Sequence, residues 1–199
     1  RDLMILKSLN VDLIYLPNLK DVFSFKVKNK IFLDKFSKKL CGKSRRGHFK
    51  GVLDVVNRFL EIIKPKYIIL GKKDYQQLFL IKMHLKINKI ETKLIPYKTI
   101  RAKNGIAYSS RNQRLNKKEI LSLSSVIKIL KREKSTAKKN KKFIINKKVL
   151  EKIGNLGVKR IDYIKFLDLN TLKIPTKKNS NFNIFLAFYF GKIRLIDNF

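Results

Sequence analysis

Tyr67-Ile68-Ile69-Leu70-Gly71-Lys72-Lys73-Asp74-Tyr75-Gln76-Gln77 is the stretch whose reading decides the fold. An apolar run closed by a glycine reads as a short, buried strand of a parallel sheet. An amphipathic helix follows, so the polar residues between them fall at the carboxyl end of the strand, where open α/β sheets bind ligands. That turn offers a glycine, two ammonium groups, a carboxylate and two amides, a mixture suited to a triphosphate held beside a small polar substrate. Past the next strand, Tyr108-Ser109-Ser110-Arg111 adds hydroxyls and a guanidinium, both good phosphate partners.

Working outward, residues 2–9 place Leu3, Leu6 and Leu9 on one helical face, and residues 11–16 read as a strand ending at Pro17. Residues 31–40 read as a short amphipathic helix. Residues 49–63 carry Val52, Val55, Val56, Phe59, Leu60 and Ile63 as a helical stripe that Pro65 closes. Strands over 67–70 and 92–96 flank a helix over 75–87. Strands alternating with helices argue for a parallel α/β sheet.

After Arg111 the character changes. Asn116 and Glu119 have capping-box spacing for a helix running to about Leu130. The lysine-rich stretch 131–142 reads as a solvated linker, and a helix over 146–156 ends at Gly157. Residues 162–167, 183–190 and 193–196 read as antiparallel strands, the last two joined by a tight turn at Gly191-Lys192. The chain thus divides into an α/β portion over 1–110 and a smaller α+β portion over 111–199. Three strands alone would leave a long exposed sheet edge, and a doubly wound nucleotide fold is built from two halves. The expectation is that part of the sheet lies outside this sequence.

Composition narrows the function. Of 199 residues, 44% are hydrophobic, enough for a real core. The one cysteine, Cys41, permits no intrachain disulfide and fits a reducing, cytoplasmic setting. With no second thiol or paired base beside it, Cys41 reads as a small packing residue rather than a nucleophile. No apolar run approaches membrane-spanning length, no signal peptide is read, and the two histidines fit no zinc spacing. The formal charge of +34 attracts phosphate backbones, and nonspecific polyanion binding at low salt is expected. The lysines are nevertheless spread along the chain, whereas a dedicated nucleic-acid binder concentrates them in a stripe with interleaved aromatics.

With Arg45-Arg46-Gly47-His48-Phe49 and Arg194-Leu195-Ile196-Asp197-Asn198, these segments resemble the pantothenate synthetase family in order and spacing, over essentially the whole chain. The resemblance implies a partial Rossmann-like, parallel-sheet nucleotide-binding domain followed by a small α+β carboxyl-terminal domain. It implies ATP-dependent condensation of pantoate with β-alanine through pantoyl adenylate, with Mg²⁺ accompanying ATP, in a cytoplasmic homodimer. It puts Lys73, Ser109, Ser110 and Arg111 at the phosphates as catalytic groups, with Gly71, Lys72, Asp74, Ile100 and Tyr108 around the nucleotide. Gln77 would hydrogen-bond pantoate, with His48 and Arg45 lining the same cleft; no residue is assigned to a metal.

The chain departs from the family pattern at Lys72, where glutamate is usual, and at Arg46, where proline is usual. The family's His-x-Gly-His loop has no counterpart in this sequence. The expectation is of a member without its first part, inactive alone. The alternatives are a basic nucleic-acid-binding protein on a degenerate enzyme fold and another adenylate-forming ligase.

Overall fold

The computed structural model describes residues 2–176 and 181–199. Helix α1 (Asp2–Ser8) forms where the leucine spacing predicts it, but buries no residue. Residues 11–16 are not a strand. They run as an irregular segment with Leu13 82% exposed, and no strand among the described residues pairs with them. Helix α2 (Leu19–Phe23) is one short turn that starts at a capping box of Asn18 and Asp21.

Residues 31–40 do not form the expected amphipathic helix. They hold a 3₁₀ turn (Lys35–Lys38), entered where the Phe36 N–H donates to the Asp34 carboxylate at 2.7 Å, and helix α3 (Cys41–Ser44) follows. The carbonyls of Phe36 and Lys39 both accept from the buried Gln76 amide at 2.8 Å. A tertiary contact fixes this segment in place of a helical ladder.

Helix α4 (His48–Ile63), strand β1 (Tyr67–Gly71), helix α5 (Tyr75–Ile87) and strand β2 (Lys93–Tyr97) are the α/β unit. β1 and β2 pair in parallel, Tyr67 opposite Lys93 through Gly71 opposite Tyr97. Leu53, Leu60, Leu80, Ile81 and Leu85 of the two helices make its core, with Ile68, Leu70 and Leu94 packed against them. The other sheet face is open, contrary to the expectation of a fully buried strand. Tyr67, Ile69, Ile95 and Tyr97 are 48, 66, 41 and 52% exposed.

Helix α6 (Lys117–Asn140) starts at the capping box of Asn116 and Glu119, as expected, and continues through residues 131–140. The linker expected there is helix, because lysine and arginine are good helix formers and Leu130 and Ala137 are buried on its inner face. Helix α7 (Lys147–Asn155) leads into strands β3 (Val158–Asp168), β4 (Phe182–Phe190) and β5 (Ile193–Asn198), antiparallel in the order β3-β4-β5. The β4–β5 turn is at Gly191-Lys192, with Gly191 at a φ of 54° that glycine adopts without steric cost.

One face of this sheet packs on α6 and α7 through Ile184, Leu186 and Phe188 against Val126, Leu130 and Ile153. The opposite face meets the α/β unit, where Leu167 and Phe185 pack with Phe36 and Leu40, and Tyr163 and Ile196 reach the helix core. The fold is mixed α/β: a parallel two-stranded sheet and a separate antiparallel one, locked through side chains. No helix among the described residues is long and apolar enough to cross a membrane.

Candidate functional site

β1 ends at Gly71, and a 3₁₀ turn over Lys72–Asp74 carries the chain into α5. Asp74 occupies the cap position of α5, yet its side chain makes no cap hydrogen bond, so capping does not consume this carboxylate. The second turn, Ser110–Arg114, is also 3₁₀ and is capped by Ser109, whose hydroxyl accepts the Arg111 N–H at 3.3 Å. The Arg111 guanidinium donates to the Arg194 carbonyl at 3.2 Å, which holds this turn against β5.

Two adjoining recesses, of about 30 and 40 Å³, share Lys73, Ile196 and Asp197. The first gathers Lys73, Ser109 and Arg111. The second gathers Lys73, Asp74, Gln77, Arg45 and His48. The structure therefore brings residues far apart in sequence onto one lysine. Gly71, Lys72, Ile100, Tyr108 and Ser110 line neither recess, and Ile100 and Tyr108 are 49 and 64% exposed.

Arg194 lines neither recess but lies against Cys41 and adds its charge to the surroundings of His48 in the second. Burial opposes its charge, but the Asp162 carboxylate at 2.8 Å and the Cys41 sulfur more than compensate, so the guanidinium stays protonated. It also donates to the Ser44 hydroxyl at 3.1 Å. Burial, then Arg45, Arg111 and Arg194, hold the His48 imidazole below its ordinary value, with Asp74 pulling the other way. His48 is thus a neutral group near pH 7. Cys41 is buried, its sulfur 3.0 Å from the Tyr163 hydroxyl, and burial and this sulfur push that phenol well above the ordinary value.

Three residues emerge that sequence reasoning gave no role of their own. Arg101 grips the buried Asp197 carboxylate through two bonds of 2.6 and 2.9 Å, which neutralises the acid shared by both recesses. Asn198 donates its amide to the carbonyls of both Lys72 and Lys73 at 2.8 Å. The available signal was the run Arg194–Asn198 itself, which ends an apolar strand with an acid and an amide. Gln76 is the reverse case. Its amide serves Phe36, Lys39 and the Cys41 N–H, so it is structural although it adjoins Gln77.

Fold and recesses together define an α/β protein that gathers cations, hydroxyls and amides at the carboxyl ends of two parallel strands, the place where such sheets take anionic ligands. Residues 1–199 match the model of the pantoate-beta-alanine ligase family. A pantothenate synthetase of Clostridium botulinum is 34% identical over 100% of this chain and 72% of its own length. The crystal structure of pantoate-beta-alanine ligase from Francisella tularensis, complexed with beta-gamma ATP and beta-alanine, is 37% identical with a TM-score of 0.78, covering 100% of this chain and 68% of that one. Pantothenate synthetase from Thermus thermophilus, 24% identical, superposes with a TM-score of 0.84 over 100% of this chain and 73% of its own, and so shares the fold. The chain belongs to the pantoate-beta-alanine ligase family. Its function is that of a ligase, and nothing in these likenesses favours the nucleic-acid alternative.

Proposed function

We propose that the chain condenses pantoate with β-alanine at the expense of ATP, through pantoyl adenylate, releasing AMP and pyrophosphate. The observation that carries this reading is that Lys73 forms a wall common to two recesses. One holds Ser109 and Arg111, the other Arg45, His48 and Gln77. The ligands of the Francisella tularensis structure support ATP and β-alanine as substrates.

Adenylation brings a carboxylate onto the α-phosphate, so two anions must approach while charge builds on the phosphoryl oxygens. Catalysis is then largely positioning and electrostatic stabilisation. In this reading Lys73, Ser109, Ser110 and Arg111 hold the phosphates, and Gly71, Lys72, Asp74, Ile100 and Tyr108 surround the nucleotide. Gln77 hydrogen-bonds pantoate, with Arg45 and His48 beside it. The amine of β-alanine then attacks the activated acyl carbon and AMP leaves, with no covalent enzyme intermediate. Among the described residues no group of three or more His, Cys, Asp or Glu could cage a metal. Mg²⁺ is read, as the resemblance implies, as accompanying ATP, on which it is commonly bound by phosphates and water.

The division into 1–110 and 111–199, a homodimer and a cytoplasmic setting belong to the same proposal. Its test is AMP formation with pantoate and β-alanine omitted in turn, by a complete protein and by its Lys73→Ala variant. AMP that depends on both substrates is expected, with Lys73→Ala slower by about 10²–10³ and its unfolding temperature unchanged. AMP formation indifferent to pantoate, or parent-like turnover by the variant, overturns the reading.

A further inference from the structure

A chain of side-chain hydrogen bonds crosses the molecule from α6 to the turn after β1. The Lys134 ammonium donates to the Asn183 carbonyl oxygen Oδ1 at 2.9 Å. Asn183 Nδ2 donates to Asn198 Oδ1 at 2.9 Å. Asn198 Nδ2 donates to the Lys72 and Lys73 carbonyls, at 2.8 Å each. The relay thus steps from a helix to β4, from β4 to β5, and from β5 to the turn that carries Lys73.

Its direction is forced at both ends. An ammonium can only donate, and backbone carbonyls can only accept, so each asparagine has one permitted amide orientation. Every donor in the relay therefore points toward the turn, and such chains strengthen cooperatively in a low-dielectric setting. Asn198 is 4% exposed, so water does not compete for its amide.

Two consecutive carbonyls on one donor fix two peptide planes, because each peptide unit is rigid. The turn is short, and Gly71 before it adds no side chain to pack against the sheet. Beyond the turn's own 3₁₀ hydrogen bonds, the Lys72 and Lys73 carbonyls are held from outside by Asn198 of β5. Backbone direction in turn sets where the Lys73 ammonium can reach, at the wall common to both recesses.

We infer that Asn198 is a positioning residue for the phosphate turn, through which the antiparallel sheet holds Lys73 in place. The inference rests on the reading of Lys73 as a phosphate ligand. It gives the carboxyl-terminal sheet a part in nucleotide binding, although Asn198 itself acts only through the turn.

The test is equilibrium binding of ATP, at a salt concentration that suppresses nonspecific polyanion binding, by the parent, Asn198→Ala, Lys73→Ala and the double variant. Asn198→Ala should weaken ATP about tenfold, and should add little once Lys73 is already alanine. Non-additivity of this kind marks residues acting as one unit. A purely structural role predicts the opposite, since Lys73→Ala keeps the carbonyl that Asn198 holds and the two losses would multiply. Asn183→Ala, at a half-buried position, should weaken ATP about threefold and guards against a folding defect at the buried Asn198. Parent-like affinity in both folded asparagine variants, or losses that multiply with Lys73→Ala, overturns the positioning role alone. Parent-like affinity in Lys73→Ala overturns the phosphate reading beneath it as well.

Discussion

Gln76 and Gln77 are adjacent, chemically identical and differently used. Gln76 is 6% exposed, and its amide satisfies two carbonyls and one N–H of the segment 36–41. Truncating it leaves those groups buried without partners, at about 1–3 kcal/mol for each such group. Gln77 lines the recess beside Lys73 and Asp74. Gln76→Ala should therefore lower the unfolding temperature by several degrees, whereas Gln77→Ala should leave it unchanged and raise the KM for pantoate. Thermal unfolding and pantoate saturation curves of both variants check this. Equal effects of the two on unfolding would count against the division. From the sequence the pair looks alike, because a side-chain amide carries no mark of whether its partners are a ligand or a neighbouring loop.

The seam between α4 and α5 is polar at its centre. His84 and Asn57 are both fully buried, with His84 Nε2 3.0 Å from Asn57 Oδ1 and the Asn88 amide 3.2 Å from Nδ1. Asn57 Nδ2 donates to the Glu61 carboxylate, so its Oδ1 must be the acceptor for His84 Nε2–H. Asn88 Nδ2 then donates to Nδ1, and the ring is neutral. Burial lowers the His84 pKa, with Glu61 opposing. Below the ordinary value of about 6.5 the unfolded chain takes up a proton that the folded chain refuses. Stability from this residue is complete above that value and is lost as pH falls toward the lowered folded value. Unfolding temperature should fall on acidification through this window, and His84→Gln should flatten that part of the profile. An unchanged profile in the variant would assign the acid sensitivity elsewhere.

Elements with periodic apolar faces were legible in this way: α4, α5, α7 and the hairpin of β4 and β5 lie close to where spacing puts them. The misreadings share one cause, which is that tertiary partners decide what an apolar or charged run becomes. Residues 11–16 have strand composition, and among the described residues no strand pairs with them. Residues 31–40 read as a helix, but Gln76 takes the carbonyls of Phe36 and Lys39. The lysines after Leu130 look like a linker until Ala137 is seen buried two turns on, on the same face as Leu130. For the site, the turns at 71–77 and 108–111 were visible as chemistry, while Asn198 and the Arg101–Asp197 pair depend on contacts across more than ninety residues.

Across the whole molecule two features work against each other. A charge of +34 repels every other copy, while Tyr67, Ile69, Ile95 and Tyr97 present a contiguous apolar sheet face to solvent. Such faces are adhesive, and like charge keeps them apart only over the screening length, about 10 Å at 0.1 M salt and about 3 Å at 1 M. Raising salt should therefore release bound polyanions and, at the same time, promote clustering of the protein itself. Light scattering against sodium chloride concentration reads the second effect, and a scattering mass that stays constant to high salt would contradict it. For a preparation of this chain the consequence is a reversed handling rule. The high ionic strength that strips nucleic acid from a basic protein would also remove the charge barrier that keeps it dispersed, so the cleanest sample would be the one most prone to cloud.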